Sequence, residues 1–175
     1  MKRMRCDLIR CHLTPADFTD AEGNLVETIW LDLLGYLVWK AREHGIYVYI
    51  TFINHMDFTL IEESFVANAT REEWIFDPDV VQATQNYVRQ LINLRNPYTG
   101  ICYKDDATIA VWGLINEPEY STYRQMMLDA KQKATFAAWL EANDHPWNDV
   151  YYGKYREAMV RAYIDDLHDI LREAG

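Results

Sequence analysis

The feature that most constrains the fold is a junction at Gly45, where a helix-patterned segment gives way to Ile46-Tyr47-Val48-Tyr49-Ile50-Thr51-Phe52-Ile53. A nearly continuous β-branched and aromatic run of this length is the pattern of a strand buried on both faces in a parallel sheet. Upstream, Asn24 and Glu27 have the spacing of an N-cap and its capping-box partner, and Trp30, Leu33, Leu34, Leu37 and Ala41 recur at helical intervals. Gly45 supplies the left-handed residue that ends such a helix. Helix, glycine and buried strand make half of a βαβ unit, because parallel neighbours need a crossover between them.

The unit is repeated. Leu8, Ile9, Cys11 and Leu13 predict a short strand over 7–13, closed by Thr14-Pro15, since a residue before proline is biased away from helix. Asp77-Pro78 reads as an N-cap with proline at the first helical position, and Val80, Val81, Thr84, Tyr87, Val88, Leu91 and Ile92 follow as one stripe. Asn96-Pro97 ends that helix, a third buried strand runs from Thr108 to Ile115, and Asn116-Glu117-Pro118 stops it. A last helix is predicted from about Asp149 to Glu173, with Tyr155, Met159, Ala162, Asp166 and Ile170 marking its turns. The order β-α-β-α-β-α predicts an α/β fold with a parallel sheet and right-handed crossovers. Two architectures fit it. A doubly wound sheet usually carries a glycine-rich phosphate turn after its first strand, and the sequence has neither GxGxxG nor GxxxxGK[ST]. A TIM (β/α)8 barrel fits better. A complete barrel takes about 200–250 residues or more, so residues 1–175 are expected to form one partial barrel domain, truncated at both ends.

Composition narrows the partners. With 27 acidic against 17 basic side chains the formal net charge is −10, which disfavours a nucleic-acid backbone and an anionic membrane surface. The longest apolar stretches fall far short of the roughly 20 residues of a membrane span, and Met1–Arg5 lead into no apolar signal-peptide run. Where the protein resides stays open. Cys6, Cys11 and Cys102 have neither the even count of a disulfide framework nor a CxxC spacing and read as thiols. Asp105, Asp106 and His145 lack ligand spacing and read as solvated loop charges, so neither a metal nor another cofactor is called for. The aromatic residues Trp74, Tyr98, Tyr103, Tyr120 and Trp147 fall near strand ends or in loops, as floors for sugar rings or as packing, and packing is the commoner use.

Polar residues gather where each strand ends: Arg10 and His12 on the first, Asn54 and His55 past the second, Asn116 and Glu117 on the third. In a β/α barrel those ends face the active site. Arg10 and His12 are two apart and share a strand face; an ion pair for Arg10 and a satisfied core histidine are the alternatives. Glu117 follows an apolar run and precedes a proline, which predicts a carboxylate at a desolvated rim, raised in pKa as a general acid requires. Its alternative is an ordinary loop start with Glu117 capping the next helix. The Asn116 amide suits a sugar hydroxyl.

Those residues resemble the clan of retaining β/α-barrel glycoside hydrolases, near the cellulase and mannanase families and similar to glycoside hydrolase family 5. The resemblance covers nearly the whole chain. It rests on Leu8-Ile9-Arg10-Cys11-His12 as the second barrel strand, on Leu33 through Val48 as second helix and third strand, and on Asn96-Pro97-Tyr98-Thr99-Gly100 through Tyr103-Lys104-Asp105-Asp106 to Trp112-Gly113-Leu114-Ile115-Asn116-Glu117-Pro118 as the fourth strand. The resemblance implies hydrolysis of a β-linked polysaccharide, oligosaccharide or glycoside by double displacement. Glu117 then matches the acid/base, Asn116 the residue that bonds the sugar 2-hydroxyl, and Arg10 the strand-two arginine supporting the carboxylates. Either Asn54 or His55 matches a substrate-contacting position on strand three, and His12, from its place beside Arg10, is counted with the substrate-binding residues. One departure counts: the family places its nucleophilic glutamate on the seventh strand, and none of Glu43, Glu62, Glu63, Glu72, Glu73 or Glu119 stands at the end of a buried strand. The alternative function is a non-catalytic half-barrel that binds carbohydrate or serves assembly. Either form is expected to self-associate through exposed sheet edges.

Overall fold

A computed structural model describes residues 5–54, 64–67, 69–70 and 73–175. Among these residues three strands, β1 (Leu8–His12), β2 (Tyr47–Thr51) and β3 (Ile109–Gly113), form one sheet in the order β1-β2-β3. Both pairings are parallel, with Arg10 beside Tyr49 and His12 beside Thr51 on one side, and Tyr49 beside Val111 and Thr51 beside Gly113 on the other. A register irregularity lies between Val48 and Tyr49. Helices α1 (Ile29–Glu43), α2 (Glu73–Phe76) and α3 (Pro78–Asn93) fill the connections, and α4 (Tyr123–Leu128), α5 (Ala130–Ala142) and α6 (Asp149–Glu173) follow β3. The parallel α/β sheet with its helices is the fold expected of this alternation.

The sheet has two unlike faces. Val48, Ile50 and Phe52 point towards the helices and are fully buried with Val38 of α1 and Tyr87, Val88 and Leu91 of α3. Phe52 stacks on Trp112 with ring centroids 5.0 Å apart, and the Tyr87 hydroxyl donates to the Phe52 carbonyl at 3.2 Å. The opposite face carries Leu8, Tyr47 and Val111, all exposed. The expectation that β2 is buried on both faces therefore holds for its helix side and fails at Tyr47, which is 54 % exposed. Between them Thr51 is buried on the open face, against Arg10.

Element ends show where local signals decide. Asp77 caps α3, accepting from the Asp79 amide at 3.0 Å with Pro78 at the first position, and Gly45 takes φ +63° after α1. The start of α1 departs from expectation. Thr28, not Asn24, caps it, by accepting from the Leu31 amide. Asn24 is engaged elsewhere: Asp20 accepts from its backbone and side-chain N–H groups, while Asn86 and Gln90 of α3 donate to its Oδ1. A residue held from both sides ties the β1–α1 loop to α3 instead of ending a helix. Helix α4 starts with a capping box between Thr122 and Gln125. Asp106 also corrects its reading as a solvated charge, being buried and paired with Arg42 at 3.0 Å.

Candidate active site

The backbone ladder continues past the strands and sets their ends level. Leu13 donates to the Thr51 carbonyl at 2.9 Å and Asn54 to the Leu13 carbonyl at 3.0 Å, while Phe52 donates to Gly113 at 2.8 Å and Asn116 to Ile53 at 2.9 Å. The residues just beyond three neighbouring strands thus share one rim.

On that rim four of the expected residues join. The Arg10 guanidinium donates from Nη2 to Asn116 Oδ1 at 3.0 Å and from Nε to Thr51 Oγ1 at 3.3 Å. Asn116 Nδ2 donates to Asn54 Oδ1 at 3.2 Å, and His12 Nδ1 lies 3.1 Å from the same oxygen. A carbonyl oxygen only accepts, so His12 Nδ1 is the donor in this bond. One chain of bonds therefore runs from Arg10 through Asn116 and Asn54 to His12, built from β1, the end of β2 and the end of β3. Among the described residues Arg10 bonds to neutral groups and to no acid, and His12 is half-buried within the network. His55 lies outside the described residues.

Glu117 follows Asn116 directly and is exposed, which corrects the expectation of a desolvated rim. Its backbone has φ +46°, a left-handed conformation rare for a side chain of this kind, and it is held there between the tied Asn116 and Pro118. Among the described residues the other left-handed non-glycine residues, Arg5 and Asp144, stand away from the strand ends. Strain at a strand end beside a polar network is the kind found where a side chain is aimed for a purpose.

Three further residues shape the rim without having been singled out. The Arg10 guanidinium carbon lies 4.8 Å from the Tyr49 ring centroid, Thr51 accepts from Arg10, and Gly113 stands where a Cβ would come within 2.7 Å of Tyr49. Their signal was period-two spacing in the run 46–53, which places Tyr49 and Thr51 on the same face as their neighbours Arg10 and His12. Of the candidate aromatic floors, Trp74 and Tyr103 are buried, Tyr98 stacks on Trp39 at 5.5 Å, Tyr120 meets Phe76 and Trp147 meets Phe136. They pack against protein. Burial raises the Cys11 thiol pKa, and all three cysteines are free. Among the described residues no three His, Cys, Asp or Glu side chains group as a metal site, and no helix is long and apolar enough to cross a membrane.

No protein-family model matches the chain. Among curated proteins it is 28 % identical over 98 residues to mannan endo-1,4-beta-mannosidase 5 of Arabidopsis thaliana, covering 51 % of this chain and 23 % of that one. Mannan endo-1,4-beta-mannosidase 4 of Oryza sativa subsp. japonica is 32 % identical over 93 residues, 49 % and 20 % of the two chains. Over about half of its length the chain is similar to these mannanases. The matched segment spans about a fifth of the length of these curated relatives. Among solved structures, the endo-1,4-beta-D-mannanase of Thermotoga petrophila RKU-1 superposes with a TM-score of 0.57 at 20 % identity, over 95 % of this chain and 45 % of that one. The chain thus has the fold of part of a TIM barrel.

Proposed function

We propose that this chain carries the acid/base side of a retaining glycoside hydrolase site, acting on a β-1,4-linked mannan-type polysaccharide, with residues 1–175 forming one part of a larger barrel. The observation that carries the reading is the bonded chain Arg10–Asn116–Asn54–His12 at the level of three parallel strand ends, with Glu117 next to it. The activity of the mannanase relatives suggests the substrate class.

In this reading Glu117, as the carboxylic acid, gives its proton to the glycosidic oxygen as the bond to the anomeric carbon breaks. A second carboxylate, about 5–5.5 Å away, bonds to that carbon. Glu117, now a carboxylate, then takes a proton from the water that releases the sugar. Asn116 spends one N–H on Asn54 and its carbonyl on Arg10, which leaves the second N–H for the sugar 2-hydroxyl. Arg10 fixes the amide so that this N–H has one direction. Among the described residues no other glutamate continues directly from a strand: Glu43 pairs with Lys40 in α1, Glu73 opens α2 and Glu119 follows Pro118. In this reading the nucleophile comes from another strand end of the larger barrel. The same observation favours the second reading, a half-barrel that binds mannan without cleaving it.

Glu117→Gln keeps the shape and removes the ionisable group. In the full-length protein its rate on a manno-oligosaccharide with a poor leaving group is expected to fall about 10²–10⁴-fold, the scale of general acid catalysis. An unchanged rate excludes Glu117 as the acid. Binding of β-mannan with no release of reducing ends by the unsubstituted protein selects the second reading.

A further inference from the structure

Arg10 is held by three contacts: Asn116 Oδ1 at 3.0 Å, Thr51 Oγ1 at 3.3 Å and the Tyr49 ring at 4.8 Å. Two of these depend on one position of the neighbouring strand. A Cβ on Gly113 would lie 2.7 Å from Tyr49 Cε2, 2.9 Å from its hydroxyl oxygen and 3.0 Å from Thr51 Oγ1. Gly113 is in ordinary strand backbone with no positive φ, so its backbone conformation does not explain the glycine. What a side chain there would disturb is the pair of groups that hold Arg10. The register explains why: Tyr49 pairs with Val111 and Thr51 with Gly113 on the open face of the sheet, so the Tyr49 ring can reach the bare strand only where no side chain stands.

We infer that Gly113 is a positioning residue of the site: the space it leaves lets Tyr49 and Thr51 seat the Arg10 guanidinium, which in turn orients Asn116. The device is steric and electrostatic together. A guanidinium is attracted to a tyrosine ring face beneath it, and a methyl at position 113 tilts the ring or displaces the threonine hydroxyl. The inference deepens the proposed glycosidase reading, since it gives the amide beside Glu117 its orientation.

The test is a ¹⁵N–¹H spectrum of the arginine Nε–H and asparagine side-chain groups in the full chain, which needs no catalytic activity. In the unsubstituted protein the Arg10 Nε–H is expected upfield through the tyrosine ring current. In Gly113→Ala the Arg10 Nε–H and Asn116 Nδ2 signals should both move, with signals of α6 unchanged. Tyr49→Leu should abolish the upfield displacement, and Tyr49→Phe, which keeps the ring, should restore it. Arg10 and Asn116 signals that stay in place in a folded Gly113→Ala overturn the inference. If that variant does not fold, unmoved Arg10 and Asn116 signals in both Tyr49→Leu and Thr51→Val overturn it instead. Where the full-length protein hydrolyses mannan, Gly113→Ala is also expected to lower kcat more than it alters KM. Absence of hydrolysis in the unsubstituted protein counts against the glycosidase reading alone, because the spectrum decides the positioning.

Discussion

A glutamate in the left-handed region at φ +46° is costly, and the cost gives its position a measurable signature. An L-residue held there loses roughly 1–2 kcal/mol that glycine does not, while glycine gains about 0.4–1 kcal/mol of extra freedom in the unfolded chain. Glu117→Gly is therefore expected to leave urea stability unchanged or raise it by about 0.5 kcal/mol, while removing the acid altogether. A clear loss of stability would mean that the carboxylate, not the backbone, is what the fold needs at this point. The site was legible at this scale as residue types at strand ends: Arg10, His12, Asn54, Asn116 and Glu117 all follow from where each apolar run stops. Their connections were not. That Asn54 Oδ1 receives both Asn116 and His12 depends on the relative height of three strands, and no spacing along the chain reports height. The exposure of Glu117 was misread for a similar reason. An apolar run before it describes the strand, whereas solvent access at its end depends on what stands opposite.

At the scale of elements, legibility follows the range of the interaction that decides each end. The start of α3 was readable because Asp77 and Pro78 act on their own backbone. Asp77 also carries a long-range partner, Lys131 of α5, whose pKa is raised through a hydrogen bond to this carboxylate. Asp77→Ala is expected to cost about 1–2 kcal/mol in urea unfolding, the upper part of the range for a lost cap because Asp77 is buried. Asn24 had equally good local credentials and was taken instead by Asn86 and Gln90, more than sixty residues away. The layer between sheet and helices adds a pH dependence. Burial raises the pKa of Tyr87 in α3, of Tyr163 in α6 and of Tyr103 beside β3. In the unfolded chain each ionises near pH 10, whereas the folded state keeps its protons to higher pH. The unfolded state then binds fewer protons, so stability is full below about pH 10 and falls as pH rises beyond it. Thermal melts from pH 8 to 11.5 are expected to show a decline that begins near 10. In Tyr163→Phe that decline should be shallower. A flat profile would mean the three hydroxyls reach water.

The molecule as a whole has more apolar surface than its own layers cover. Leu8, Tyr47 and Val111 lie on the open face of the sheet, Trp30 and Leu33 along α1, and Val150 and Ile164 along α6, and all are exposed. In the Thermotoga mannanase barrel this chain matches 45 % of the structure. A closed barrel covers such faces with further strands and helices and leaves no free sheet edge. The order of elements along the chain was readable because each βα unit is local, and the uncovered faces were readable only as a consequence of counting units. Alone in solution, residues 1–175 oppose two forces: apolar faces and the open edges of β1 and β3 favour association, and a net charge of −10 keeps copies apart. The balance depends on pH. Acidic side chains exceed basic ones by ten at neutrality, and the isoelectric point is near 4.9. Light scattering is therefore expected to show growing mass as pH is lowered from 8 towards 5 at low salt. At pH 8, added salt should have the same effect, since screening shortens the reach of the repulsion to about 10 Å at 0.1 M. Leu33→Glu with Val111→Lys, which break two of the faces with charges, should delay both transitions. A monomeric mass throughout, at every pH and salt concentration, would show that these faces do not drive association and that the chain is self-sufficient as it stands.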